Sequence, residues 1–291
     1  MPFAWSAAIA FVYGTVVGSF LNVCIWRMPR DESIIHPPSH CPRCNRKLSV
    51  WENIPLLSFL IQRCKCRGCG ERISWRYFGV ELLTGVFFVA LFARFHWNLE
   101  FFTFALFGSA LIAAFFIDME HWIIPDQLNL FGVALGIAHD VTALILAKAG
   151  YAHMVTIKPL MTIAVPFTDI FFPMLQSVVG ILVCGGIFYL IAILGELAFK
   201  KEAMGGGDIK LAAAVGANLP VGLALVSFFV AVTLGSIVGI GWAVTMRALK
   251  KEFKSYVPFG PMMVAGAVVV MFFGNEMVNA YCNYLGYFPP K

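Results

Sequence analysis

The chain has 291 residues, 60% of them hydrophobic and 13% charged, with a formal net charge of +5. That apolar share is too high, and that charge share too low, for an ordinary water-soluble domain, so a polytopic membrane protein is expected. The positive excess then bears on orientation in the bilayer, and no nucleic-acid partner is expected.

The first apolar run, Ala4 to Trp26, is long enough to cross the hydrocarbon, which takes about 20 residues. It lacks a basic start and a clear small-residue cleavage site, so it reads as a retained span. Gly14 and Gly18 give it the small-xxx-small spacing that suits close helix packing in lipid. From Arg27 to Tyr77 the composition changes to prolines, two CxxC pairs and ten Lys or Arg. This is expected to be a soluble domain of roughly 50 residues, too small to rest on a hydrophobic core alone.

Apolar runs follow at 78–95 and 101–117, then a polar stretch with Asp118, Glu120, His121, Pro125 and Asp126, then a span at 127–147. The segment 148–169 is mixed, and a long apolar run at 170–199 ends just before Gly205-Gly206-Gly207-Asp208. Ile209 to Ala217 is apolar but short; Asn218-Leu219-Pro220 separates it from a run through Met246, and a last span covers 259–281. About eight crossings are expected, the sixth being the weakest. With the N-terminus outside, the loops 27–77, 118–126, 200–210 and 247–254 lie inside and carry 17 of the 21 Lys and Arg. The basic excess of inner loops makes that the expected orientation. The fold class expected is therefore all-α and polytopic: a first transmembrane helix (1–26), a small cytoplasmic domain (27–77) and a membrane-embedded domain (78–291). Asp118 and Asp208, 90 residues apart, then share the cytoplasmic face.

Cys41-Pro42-Arg43-Cys44 and Cys66-Arg67-Gly68-Cys69, 21 residues apart, have the pattern of a four-thiolate zinc site made of two tight knuckles. A cytoplasmic position keeps the thiols reduced, although a disulfide pair and a vestigial site without metal are the alternatives. Cys64 offers a fifth thiol; only Cys66 gives the CxxC spacing with Cys69. Cys24, Cys184 and Cys282 sit in apolar runs and read as small core residues.

Ionisable groups at a membrane are costly, and the default reading of one is functional. Two carboxylates close together in a poorly solvated site cannot both ionise readily, so the pair shares a proton, which is the arrangement of an aspartic protease. Three glycines ahead of Asp208 would let an extended peptide approach the backbone. The bland alternatives are a solvated helix end for Asp118 and a carboxylate favoured in a helix's first turn for Asp208.

Taken together, Gly205-Gly206-Gly207-Asp208-Ile209-Lys210-Leu211, Ile117-Asp118 and Ile124-Pro125-Asp126-Gln127-Leu128 resemble the bacterial type IV prepilin peptidase family, aspartic proteases of the GxGD class. Gly18-Ser19-Phe20-Leu21-Asn22-Val23, the cysteine pairs, Trp51-Glu52-Asn53-Ile54-Pro55-Leu56 and Ile73-Ser74-Trp75-Arg76-Tyr77 are similar to that family's amino-terminal region. The likeness covers nearly the whole chain except 148–169, where extra residues precede the fifth span. It implies cleavage of the leader of prepilins and pseudopilins at the cytoplasmic face of a bacterial inner membrane. It also implies methylation of the new amino terminus with S-adenosylmethionine. Carried over, Asp118 and Asp208 are the catalytic aspartates; Asp126, Lys210, Glu52 and Glu81 are lesser candidates. A leader peptidase without methyl transfer, a non-enzymatic scaffold of pilus assembly, and a proton-coupled transporter are the rivals. The last would put carboxylates near the bilayer midplane, whereas these fall at span ends.

Overall fold

A computed structural model describes residues 2–151, 172–200, 204–249 and 258–285. Among these the regular structure is helical, with two isolated β-bridges. The α-helices are α1 (Phe3–Arg27), α2 (Leu57–Ile61), α3 (Trp75–Phe95), α4 (Leu99–His121), α5 (Asp126–Lys148), α6 (Phe172–Phe199), α7 (Gly206–Asn218), α8 (Val221–Ala248) and α9 (Gly260–Tyr284). Seven of them, all but α2 and α7, are long and apolar enough to cross a membrane. The expected sixth crossing is α7, whose 13 residues rise only about 20 Å against about 30 Å of hydrocarbon. It stops where Leu219 turns extended and Pro220 caps the next helix. The mixed segment 148–169 lies, from residue 152 onward, outside the described residues.

The chain divides into two compact units, Met1–Ile117 and Asp118–Lys291. In the first, α1 packs against α3 through the predicted glycines: a Cβ on Gly14 would meet the Thr84 carbonyl oxygen at 2.7 Å, and one on Gly18 the Glu81 Cα at 2.8 Å. Any larger residue there would drive the helices apart. Asn22 Nδ2 ties the same pair by donating to the Tyr77 carbonyl at 3.0 Å. The contact between α3 and α4 is aromatic instead, with Phe88 against Phe101 and Phe95 against Phe104.

The second unit is a helical bundle. Gly180 of α6 lies directly on Gly216 of α7, and Gly136 of α5 on Ala217. One polar cluster ties these three helices. The Ser177 amide donates to Asp140 Oδ2 at 2.8 Å, and the Ser177 hydroxyl lies 2.6 Å from that oxygen and 2.9 Å from the Ala217 carbonyl. The helices α8 and α9 run antiparallel, Gly266 against Ser227 and Ala231, and Gly274 against Leu223.

Candidate active site

Asp118 lies in the last turn of α4, and its carboxylate is buried, 6% exposed. Asp208 lies in the first turn of α7, after the extended residue Gly205, with its amide donating to the Gly205 carbonyl at 3.1 Å. Gly207, next to Asp208, and Gly260, next to Asp118, both border one side chain, Ile124. A Cβ on Gly207 would touch Ile124 Cβ at 3.2 Å; one on Gly260 would touch Ile124 Cδ1 at 2.9 Å and Asp118 Oδ2 at 2.5 Å. The Gly260 amide donates to Asp118, and the charge of Asp118 acts on Asp208. The two aspartates chosen from the sequence are thus gathered by helix ends far apart in the chain, with Gly260 as a third contributor that sequence reasoning missed. Its only signal was a lone glycine before Pro261. Of the three preceding glycines, Gly207 is packed, a Cβ on Gly205 would lie 3.6 Å from Asp208 Oδ2, and Gly206 borders open space.

The lesser candidates fall elsewhere. Lys210 Nζ reaches both oxygens of Asp126 at 2.7 Å, an exposed pair joining the starts of α5 and α7. Glu81 Oε2 accepts from the Leu56 amide at 2.8 Å. Leu56 is held at φ +60°, a left-handed conformation costly for leucine, and the bond anchors that turn. Glu52 is buried: Oε2 accepts from the Ser49 amide and hydroxyl, both at 3.0 Å, and Oε1 pairs with Arg46. The Ser49 amide foremost, and then Arg46, hold the Glu52 carboxyl down at about 2. Ser49-x-x-Glu52 is a capping box written in the sequence.

The four cysteines form a second site. Two matching knuckles build it: the Cys41 amide donates to Arg46 O and the Cys66 amide to Glu71 O, while the His40–Lys47 and Lys65–Arg72 bridges close each loop. Their four Sγ atoms lie within 4.8 Å of one another, with Cys41 to Cys69 at 3.9 Å and Cys44 to Cys66 at 4.0 Å. Tetrahedral zinc with Zn–S of about 2.3 Å requires sulfur separations of about 3.8 Å, so the donor set fits. The amides of Cys69 first and Gly68 next pull the Cys66 thiol down to about 6, favouring the thiolate a metal needs. Cys64 lies outside this cluster.

With that geometry in view, residues 12–95 match the profile of the bacterial peptidase A24 N-terminal domain and residues 105–240 that of the type IV leader peptidase family. The chain belongs to the type IV leader peptidase family. It is 31% identical over 274 residues to the prepilin leader peptidase/N-methyltransferase of Bacillus subtilis, covering 94% of this chain and 97% of that one. It is 40% identical over 234 residues to the protein of the same name from Myxococcus xanthus, covering 80% of this chain and 62% of that one. It is also 32% identical over 285 residues to the type 4 prepilin-like proteins leader peptide-processing enzyme of Escherichia coli, covering 91% and 93%. No solved structure matches the chain.

Proposed function

We propose that this protein is a membrane aspartic endopeptidase that removes the leader of prepilins and pseudopilins and then methylates the new amino terminus. The observation that carries it is that Gly207, beside Asp208, and Gly260, whose amide donates to Asp118, both border Ile124, with the charge of Asp118 acting on Asp208. In such a pair the ionised carboxylate takes a proton from water as the oxygen adds to the scissile carbonyl, and the protonated one donates to the carbonyl oxygen. The resulting diol collapses with a proton delivered to the departing nitrogen, which frees the mature amino terminus. Gly206, with open space beside it, gives the extended peptide its approach.

The orientation and span count belong to the same proposal: eight crossings of a bacterial inner membrane, with 27–77 and the aspartates at the cytoplasmic face. The bundle's own contacts support it. Gly260 starts α9 beside Asp118, while Leu223 near the start of α8 lies against Gly274, more than halfway along α9. Because α7 begins beside Ile124 and ends where α8 starts, it must carry the chain most of the way across despite its 13 residues. A substrate held in the lipid by an apolar helix would present its leader at this level. The domain division 1–26, 27–77 and 78–291 goes with this reading.

Cys41, Cys44, Cys66 and Cys69 would hold a structural zinc that fastens a domain of small core. S-adenosylmethionine, when bound, supplies the methyl group. The relatives' names support methyl transfer as part of the activity. Purified protein given a prepilin and S-adenosylmethionine should yield a shortened pilin whose N-terminus is heavier by one methyl group. An unmethylated product would leave the peptidase alone, and an uncut prepilin would contradict the proposal.

A further inference from the structure

The short helix α2 carries apolar side chains on both of its faces. Phe59 is buried, its ring centroid 5.0 Å from that of Trp75 and 5.4 Å from that of Phe78. Leu57, Leu60 and Ile61 are 57%, 55% and 68% exposed, and their i, i+3, i+4 spacing puts them together on the other face. A helix apolar all round belongs in a core or in lipid. The core side is filled by Phe59, so the outer face needs a different apolar neighbour.

The level of α2 is fixed from both ends. At its start, the Leu56 amide donates at 2.8 Å to Glu81, which lies in the second turn of α3. Beyond its end, the Cys64 carbonyl accepts at 2.7 Å from the amide of Ile73, which precedes α3. The segment therefore slopes from beside the second turn of α3 back to the approach of that helix. The 21 residues of α3 rise about 32 Å, against about 30 Å of hydrocarbon. A crossing thus uses nearly the whole helix, and its second turn stands at the edge of the hydrocarbon. Trp75, at its first residue, suits the headgroup level where indole rings collect.

Immediately after α2 the chain becomes basic, with Arg63, Lys65, Arg67, Arg72 and Arg76 against Glu71 between residues 62 and 77. Arg63 and Lys65 are exposed and flank Cys64, level with Ile73. Apolar side chains below and cations above match the acyl edge and the phosphates of an anionic lipid surface.

We propose that α2 is an interfacial anchor, with Leu57, Leu60 and Ile61 seated among acyl chains and Arg63 and Lys65 on anionic headgroups. It rests the metal-site domain on the bilayer. The inference depends on α3 crossing the membrane, which is part of the reading above.

The test uses full-length protein in nanodiscs of phosphatidylethanolamine and phosphatidylglycerol, with a trace of phosphatidylglycerol carrying an acyl-chain diazirine. After irradiation and digestion, lipid adducts should appear on Leu57, Leu60 or Ile61. Adducts on the exposed α3 residues Leu83 and Val86 but none on α2 would overturn this inference alone; none on α3 either would take the crossing down with it. Loss of the α2 adducts when prepilin is added would give the face to the substrate and overturn the proposal. Phosphatidylcholine with the same diazirine chain should label α2 at least twofold less. Arg63→Gln with Lys65→Gln should erase that preference with zinc content unchanged; equal labelling by the two lipids in wild type, or a preference that survives the substitutions, would overturn the headgroup contact.

Discussion

Substituting Gly260 with alanine isolates the geometry of the aspartate site without removing a titratable group. The added carbon would stand 2.5 Å from Asp118 Oδ2, 2.9 Å from Ile124 Cδ1 and 3.2 Å from Asp118 Cγ. An ordinary carbon–oxygen approach is about 3.3 Å, so the carboxylate must retreat by about 0.8 Å. A displacement of about 1 Å at a reacting group costs on the order of 100-fold in rate, so leader cleavage should fall roughly 10- to 100-fold. Stability should change little, because alanine gains up to about 1 kcal/mol of helix propensity over glycine, offsetting part of the strain. The assay is the kcat/KM for cleavage of a membrane-inserted prepilin, alongside thermal melting. Gly239→Ala is the control, since a Cβ there meets nothing within 4 Å. Cleavage by Gly260→Ala within twofold of wild type would refute the claim that Asp118 is positioned against the start of α9.

Lys210→Ala should cost no more than about 1 kcal/mol in melting and leave cleavage within a few-fold, because exposed pairs contribute little; a complete loss of cleavage would make Lys210 a substrate contact. Purified protein should carry about one zinc per chain, and Cys41→Ser should lose it; a metal-free wild type prepared under reducing, chelator-free conditions would exclude the four-thiolate site. Glu52 has its carboxyl lowered from 4.5 to about 2, so its stabilisation is complete above pH 4.5 and lost as pH falls towards 2. Glu52→Gln should therefore melt earlier than wild type at pH 7, with the difference closing through that acid window; a pH-independent difference would contradict the role given to this carboxylate.

What could be seen in the sequence follows from how locally each feature is encoded. The Gly14 and Gly18 spacing announced a close helix contact on α1, because helix periodicity alone puts them on one face, but not that α3 is the partner. The cysteine knuckles were visible for a similar reason, each being a loop closed within eight residues, from His40 to Lys47 and from Lys65 to Arg72. Asp118 and Asp208 stood out as carboxylates bordering apolar runs. Gly260 did not, because its amide matters only once α9 is docked beside α4's end. Asp140 also escaped notice, lying in a run that scans as apolar; it is buried against Ser177 of a different helix. Glu52 and Glu81 stood as lesser candidates, and their partners separate them from the aspartates: a capping box and Arg46 for the first, the Leu56 amide for the second. The count of crossings was hardest to read at α7, whose 13 residues rise only about 20 Å and fall short of the hydrocarbon thickness.

The central claim is that Asp118 and Asp208 act as one unit on a peptide bond. Its most direct measurement is leader cleavage of a membrane-inserted prepilin by wild-type protein, Asp118→Asn and Asp208→Asn, each checked for zinc content and melting. The account predicts that both folded variants lose cleavage, each about as completely as the double variant, because the chemistry needs both carboxylates. Near wild-type cleavage by either one would contradict it.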